Sequence, residues 1–200
     1  MKALRARIAG NLARFERRAV EGSGFRRAAV AILLSPRQHQ SVYVLTRRAL
    51  TLRRGAGNYA LPGGHFEAGE DAVDAAIRET AEELGVQMQR KDALGLLDDF
   101  VTLSGHAVTP VVLWSSRPLS LKPDPVEVHE AWFVPIAELD HPGSPLSEVN
   151  PAGAPILKMF ARGAWINPPT AAMLYQFREV ALHGRATRVI DIGQPSWTAS

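Results

Sequence analysis

Three of the four glutamates within residues 70–86 have the chemistry and spacing of a divalent-cation site. Glu79, Glu82 and Glu83 share an arc of about 100° on a helical wheel at about 100° per residue. Like charges on adjoining turns repel by a few tenths of a kcal/mol per pair, and a divalent cation would offset that repulsion. Carboxylate oxygens suit Mg²⁺ or Mn²⁺, and Mg²⁺ is usually held by one or two carboxylates together with substrate phosphates. The spacing therefore predicts a Mg²⁺ or Mn²⁺ site and a substrate that carries phosphate.

An amphipathic helix must position these carboxylates. Its apolar positions lie within roughly 60° of one another on the same wheel, and they are Val73, Ile77, Thr80 and Leu84. One face is thus predicted to pack and the other to present the three carboxylates, with Gly85 ending the helix. A solvated acidic face is the alternative for an isolated glutamate cluster. The wider spacing, with Gly64 before the helix and Arg78 beside Glu79, favours the metal site.

The same spacing resembles the Nudix box. Gly64 is followed after five residues by Glu70, and after seven more by the run from Arg78 to Val86. The resemblance implies an α/β fold, a Nudix-type α/β/α sandwich with a mixed β-sheet, in which the box forms a loop, a helix and a loop. It also implies metal-dependent hydrolysis of a diphosphate bond in a nucleoside diphosphate linked to another moiety.

Site residues follow from that resemblance. Three glutamates would be metal ligands, namely Glu79, Glu82 and Glu83. Arg78 would orient Glu79, with Glu70 as its partner beside the substrate. Gly63 and Gly64 would let the backbone approach the phosphates and the metal without a side chain in the way. Glu79 is also a candidate for the general base.

Glu127 and Glu130 are candidates for a further metal ligand or general base from outside the box. They lie near the start of a predicted strand, after a proline-rich loop, where a carboxylate can reach the metal. Glu127 is the preferred candidate, because Glu130 fits a surface position equally well.

A second stretch resembles the coenzyme A pyrophosphatase subfamily. Residues 44–64 carry an apolar pair, Thr46, Arg48, Arg53 and a Pro-Gly-Gly turn in that subfamily's order, and the resemblance extends over about residues 28–139. It departs at Gly55, at Leu61 and in the segment 166–171. The implied substrate is coenzyme A or an acyl derivative, cleaved to 3′,5′-ADP and 4′-phosphopantetheine. Arg48 and Arg53 are candidate phosphate ligands, because guanidinium groups bind phosphate through paired hydrogen bonds.

Two other functions remain open at this point. The first keeps the chemistry and changes the substrate to ADP-ribose, to a dinucleotide such as NADH or to a damaged nucleotide. The second is a ligand-binding sensor that has the fold and does not turn over. The complete set of three glutamates disfavours the sensor, since a binding module has no need for all of them.

Composition sets the remaining bounds. The chain has 200 residues, a formal net charge of +3 and no cysteine, which excludes disulfides and thiolate chemistry. We expect a single domain over residues 1–200, with a basic helix in 1–27, the core resemblance in 28–139 and a loop and helix in 140–200. The expected location is cytoplasmic, with a small nucleotide as partner. The arginines near the start lack the motif and aromatics of a nucleic-acid surface.

Hydrophobic periodicity outlines the other elements. The opening helix, with apolar residues at 4, 8, 12 and 15, is expected to cover the core or a homodimer partner rather than to lie stably on a membrane. Strands are predicted at 28–35, 41–47, 94–103, 106–115 and 129–135, with a last one at 188–192. Residues 142–155 are predicted to form a flexible loop, and a helix is expected from Pro168 to Gly184.

Overall fold

The computed structural model describes residues 1–22, 24–150 and 153–195. In this part of the chain a mixed sheet of eight strands lies at the centre. Its strands are β1 (Arg26–Arg37), β2 (Gln40–Arg48), β3 (Tyr59–Ala60), β4 (Gly63–His65), β5 (Ala93–Leu96), β6 (Phe100–Val101), β7 (His106–Trp114) and β8 (Val128–Pro135). The pair β1 and β7 is parallel, whereas the other pairs are antiparallel.

The central strand β1 divides its side chains between two hydrophobic layers. Ala29, Ala31 and Leu33 are fully buried beside helix α2 (Ala72–Leu84), while Ile32 and Leu34 are fully buried in the layer on the opposite side. This alternation follows from the two-residue period of a strand. Because both faces are covered, the predicted α/β fold with a mixed sheet is confirmed.

The second layer is formed by both ends of the described chain. It contains α1 (Lys2–Arg14), α3 (Thr170–Gln176), a π-helical continuation (Phe177–Leu182) and a small sheet of β9 (Leu146–Val149), β10 (Pro155–Ala161) and β11 (Ala164–Ile166). Ile8 and Leu12 of α1 are 0% and 5% exposed. The apolar face of α1 therefore packs on the core of its own chain, as one of the predicted alternatives had it.

Three sequence expectations about these elements were wrong. Residues 142–155 contain β9, which pairs with β10 in antiparallel register, and residues 151 and 152 of that predicted loop lie outside the described residues. The predicted strand 94–103 is divided into β5 and β6, because Asp98 and Asp99 between them bond to side chains elsewhere. Residues 188–192 form no strand, and Arg188 instead binds Asp98 at 2.7 Å.

Within residues 1–22, 24–150 and 153–195, no helix combines the length and the apolar character required to cross a bilayer.

Candidate active site

Helix α2 has well-formed ends. Asp71 caps its first turn by accepting hydrogen bonds from the N–H groups of Val73 and Asp74 at 2.9 and 3.0 Å. Gly85 ends it in the left-handed region at φ 65°, a conformation that favours glycine, and donates its N–H back to the helix. The predicted box helix is confirmed, with bounds set by these two caps.

The faces of α2 differ from the sequence prediction. Its buried positions are Ala72, Ala75, Ala76, Thr80, Glu83 and Leu84, whereas Val73 and Ile77 are only partly buried. Small alanines allow the helix to approach the sheet closely, so Glu83 is carried into the interface and is 5% exposed. The expectation of three carboxylates on one exposed face was therefore wrong for Glu83.

Three carboxylates converge where α2 meets the loop before β8. One carboxylate oxygen from each of Glu79, Glu83 and Glu127 lies within 4.8 Å of the others. Glu127 comes from outside the box, at the place where the sequence predicted a further ligand. Glu82 does not join this cluster, because its half-exposed side chain accepts a hydrogen bond from Arg78 at 2.8 Å. Its assignment as a metal ligand stays a prediction.

Backbone hydrogen bonds hold Glu127 near the helix. The N–H groups of Lys122 and Asp124 donate to the carbonyls of Leu84 and Glu83 at 2.8 and 2.9 Å, which satisfies the end of α2. The carbonyl of Glu127 then accepts from Ala49 N–H at 2.8 Å. The loop 122–127 is thus tied at both ends, and it presents the Glu127 carboxylate to Glu79 and Glu83.

Arg78 connects the helix to the loop that precedes it. Its Nε donates to Glu70 at 2.8 Å, its Nη1 to Glu79 at 3.0 Å, and its Nη2 to the carbonyl of His65 at 2.8 Å. The contacts predicted for Arg78, with Glu79 on one side and Glu70 on the other, are both present. The guanidinium group therefore fixes one oxygen of Glu79 and the position of the chain beside Gly64. Its catalytic role stays a prediction.

If all three carboxyls of the cluster were ionised, the surrounding residues would not balance their negative charge. Burial raises the pKa of Glu83 to about 8, with smaller contributions in the same direction from Glu79 and Glu127, while Arg48 and the backbone of Gly63 oppose them. Burial is also the main reason why the pKa of Glu79 is raised. Three adjacent carboxyl groups are difficult to ionise together without a nearby positive charge. A divalent cation supplies that charge and prefers oxygen ligands. The donor set therefore fits Mg²⁺ or Mn²⁺.

The two glycines of β4 leave no room for side chains. A Cβ on Gly64 would overlap the Glu79 carboxylate, and one on Gly63 would overlap the backbone of Ala29 and Val30. Glycine is thus required at both positions because of close approach. The Gly64 backbone lies directly beside the candidate ligand Glu79, and the assignment of Gly64 as a metal ligand stays a prediction.

A cavity of about 450 Å³ opens on the other side of β4, a size suited to a small organic ligand. It shares Arg48, Gly63, Gly64 and His65 with the smaller cavity beside Glu79 and Glu127. Arg48 therefore lies between the carboxylate cluster and the larger cavity. Arg54 lines that cavity, whereas its exposed neighbour Arg53 lines neither of the two. The assignment of Arg53 as a substrate ligand stays a prediction.

Several residues of the larger cavity were not singled out from the sequence as site residues. They are Arg26, Arg54, Ser104, Trp165 and the segment 167–170. Thr170 is held there by a hydrogen bond to the carbonyl of Tyr59 at 3.1 Å. The alternation of β1 was a usable signal for Arg26, since Arg26, Ala28 and Val30 share one face. The late segment carried no signal of its own, because only the tertiary fold brings it to the cavity.

The family comparison identifies the chain's domain. Residues 24–160 match the model of the NUDIX domain. A relative described as an uncharacterised Nudix hydrolase NudL from Photorhabdus laumondii is 38% identical over 96 residues, which are 48% of this chain and 51% of the relative. A NudL of the same description from Escherichia coli K12 is 34% identical over 119 residues, which are 59% of this chain and 62% of the relative. The match thus spans about half to three fifths of these relatives' length.

Among solved structures, the Nudix hydrolase RenU from Mycobacterium smegmatis has a similar fold. The two structures superpose with a TM-score of 0.54 at 22% identity, over 82% of this chain and 90% of RenU. This similarity supports the Nudix-type fold.

Proposed function

The chain belongs to the NUDIX domain family, and from this premise we propose that it hydrolyses a diphosphate bond in a nucleoside diphosphate derivative with the help of Mg²⁺ or Mn²⁺. The observation that carries the proposal is the cluster of Glu79, Glu83 and Glu127, with ligand oxygens within 4.8 Å of one another. Glu79 and Glu127 line a cavity beside the buried Glu83. Among the residues that the structure describes, Arg78 at Glu79 is the one cation hydrogen-bonded to any of the three carboxylates.

Each residue of the site has a definable task. Glu79, Glu83 and Glu127 would hold the metal, with Glu82 and the Gly64 carbonyl as further candidate ligands. When bound, the divalent cation supplies positive charge that polarises the diphosphate and makes an attacking water more acidic. Arg78 keeps Glu79 oriented, and Arg48, which faces both cavities, is placed to contact a phosphate oxygen.

Glu127 is the better placed of the two candidate bases. One oxygen of Glu79 is occupied by a hydrogen bond from Arg78 at 3.0 Å. The Glu127 side chain is exposed, and no hydrogen bond to it is found from any residue that the structure describes. A carboxylate with free oxygens beside the metal ligands is suited to take the proton from water.

Coenzyme A or an acyl derivative is the substrate we propose. The motif in residues 44–64 supports it, and so does the cavity beside Gly63 and Gly64, which adds arginines to the diphosphate site. ADP-ribose and NADH are the competing substrates. They share the diphosphate but lack a phosphomonoester, so they provide no partner for the additional basic residues.

The test is hydrolysis of coenzyme A, ADP-ribose and NADH, with and without Mg²⁺ or Mn²⁺, with products separated by chromatography. We expect metal-dependent formation of 3′,5′-ADP from coenzyme A at the highest kcat/KM of the three. A faster reaction with ADP-ribose or NADH would replace the substrate and keep the chemistry. Binding of these compounds without any turnover would overturn the proposal in favour of a sensor. Glu21→Gln, which changes an exposed carboxylate remote in sequence from the box, serves as the control variant.

A further inference from the structure

Strand register places two histidines and an arginine on one face of the sheet, beside the larger cavity. In the parallel pair, Arg26 of β1 lies opposite His106 of β7. In the antiparallel pair, Ala28 of β1 lies opposite His65 of β4. Because Arg26 and Ala28 are two residues apart, their side chains point to the same face. The small Ala28 lets the two imidazoles meet above it, and their ring centroids are 4.9 Å apart.

A second arginine completes this group. Arg54, from the loop before β3, lines the same cavity. The pKa of His106 is lowered, first by burial and then by the positive charges of His65, Arg26 and Arg54, so all four side chains lie within electrostatic reach of one another. We call these four residues the basic cluster.

The basic cluster has no acidic partner in the described part of the chain. Neither Arg26 nor Arg54 forms an ion pair there, in contrast to Arg17, Arg27, Arg78 and Arg188. Ser104 fixes the His106 ring through a contact from its Oγ to Nδ1 at 2.9 Å, which leaves Nε2 directed elsewhere. Convergent donors without a carboxylate, in the wall of a cavity, match an anionic ligand group.

We propose that Arg26, Arg54, His65 and His106 form a subsite for a phosphomonoester that the substrate carries in addition to its diphosphate. This inference rests on the proposed diphosphate hydrolysis at the neighbouring carboxylate cluster. The two charged regions are joined through Arg48, Gly63, Gly64 and His65, which line both cavities. A nucleotide can therefore lie across β4, with its diphosphate at the carboxylates and its nucleoside, bearing the extra phosphate, in the larger cavity.

Among the candidate substrates this feature selects coenzyme A. Its ribose carries a 3′-phosphate, which dephospho-coenzyme A lacks and which is the only difference between the two. The subsite predicts a preference for coenzyme A of about 10- to 100-fold in kcat/KM, the range expected of charge-assisted hydrogen bonds. Arg26→Ala should remove most of that preference, because it should lower kcat/KM much more for coenzyme A than for dephospho-coenzyme A.

Binding of product analogues gives a readout that is independent of turnover. Adenosine 3′,5′-bisphosphate and AMP share the 5′-phosphate and differ in the 3′-phosphate. Calorimetry should show tighter binding of the bisphosphate to the wild type by about 10-fold or more, and equal binding of the two to Arg26→Ala and to Arg54→Ala. Arg5→Ala, which removes an exposed arginine of α1, is the matched control and should keep the difference.

The outcomes separate the two proposals. Equal kcat/KM for coenzyme A and dephospho-coenzyme A, together with equal binding of bisphosphate and AMP, would overturn the subsite and leave the hydrolase intact. No hydrolysis of any diphosphate compound would overturn the proposed function, while the calorimetric comparison would still decide the subsite. A preference that persists in both arginine variants would also refute the assignment, since another group would then hold the phosphate.

Discussion

Buried acidic residues occur in two regions of this molecule, and their surroundings are opposite. Asp99, in the segment between β5 and β6, accepts hydrogen bonds from Arg17 at 2.5 Å, Thr109 at 2.6 Å, Val20 N–H at 2.8 Å and Arg27 at 3.1 Å. Its burial alone would raise its pKa, but the hydrogen bonds from Thr109 and Val20 and the contact with Arg17 lower it. Asp99 is thus an ionised carboxylate that the protein itself neutralises.

Glu83 is buried to a similar degree, but Arg48 and the backbone of Gly63, which favour its ionised form, do not outweigh that burial. It is 5% exposed, compared with 2% for Asp99, yet burial, together with the charges of Glu79 and Glu127, raises its pKa to about 8. The difference indicates that burial of an acid does not define a functional site. What distinguishes the candidate site is a buried carboxyl whose ionised form the chain does not balance with cations.

The largest expected effect is on catalysis at the cluster of Glu79, Glu83 and Glu127. Glu83→Gln removes a proposed metal ligand while it keeps the shape of the side chain, so we expect kcat to fall at least 10³-fold, about 4 kcal/mol of transition-state stabilisation. Steady-state kinetics with saturating Mg²⁺ measure this, with Glu21→Gln beside it. Near-normal turnover would remove Glu83 from the mechanism.

Replacement of Asp99, whose charge the protein neutralises, should instead reduce the stability of the fold. Asp99→Asn leaves Arg17 and Arg27 without their counterion, and we expect a loss of about 3 kcal/mol of unfolding free energy, a fall in Tm of about 6 to 12 °C for a chain of this size. Metal-free Glu83→Gln should show an equal or higher Tm than the wild type, because it relieves repulsion. If thermal denaturation ranked the two variants the other way, the contrast between the regions would be lost.

Replacement of Arg78 tests whether this residue orients the proposed metal ligand Glu79. Arg78→Ala releases Glu79 from Glu70 and from the loop at His65, so we expect metal affinity to fall about 10- to 100-fold, as for the loss of a group that orients a ligand. Calorimetric titration with Mn²⁺ measures this affinity. Unchanged titration together with a large loss of stability would make Arg78 purely structural.

The smallest effect concerns pH and the metal-free protein. The unfolded-state pKa of a glutamate is about 4.3, and that of folded Glu83 is about 8. Between these values folded Glu83 keeps its proton while the unfolded chain has lost it, so stability decreases as pH rises through this window and is lowest above about pH 8. Glu83→Gln should lack this part of the slope. Its Tm should therefore exceed that of the wild type by a few degrees at pH 9 and by less at pH 5, and parallel Tm curves would contradict the assignment.

The sequence predicted those parts of the site that depend on local spacing. The box helix, the Arg78 contacts with Glu70 and Glu79, and the nearness of Glu127 all agree with the structure. The burial of Glu83 could not be read from a helical wheel, because alanines and not the larger apolar residues form the packed face of α2. The sequence also could not show that Arg54 rather than Arg53 lines the larger cavity. The conformation of the loop before β3 decides which of these two adjacent arginines faces it.

Tertiary contacts account for the elements that were predicted wrongly. Arg188 to Ile192 has the composition of a strand, but Arg188 binds Asp98 and lies over the ring of Phe15. Leu146–Val149 was predicted to be loop because prolines and glycines surround it, whereas pairing with β10 supplies its hydrogen bonds. In both cases the deciding partner is distant in sequence or lies across a turn.

The packing of α1 has a consequence for how the chain acquires its structure during synthesis. Asn11 donates a hydrogen bond to the carbonyl of Ala181 at 2.9 Å across 170 positions, and Ile8 and Leu12 are buried in the layer that residues 170–182 complete. This first helix therefore leaves the ribosome long before its cover exists. At about 5 to 20 residues per second, the wait lasts roughly 10 to 35 seconds. The contacts of α1 with residues 170–182 can form only after that interval, so complete burial of its apolar face is a late event of folding.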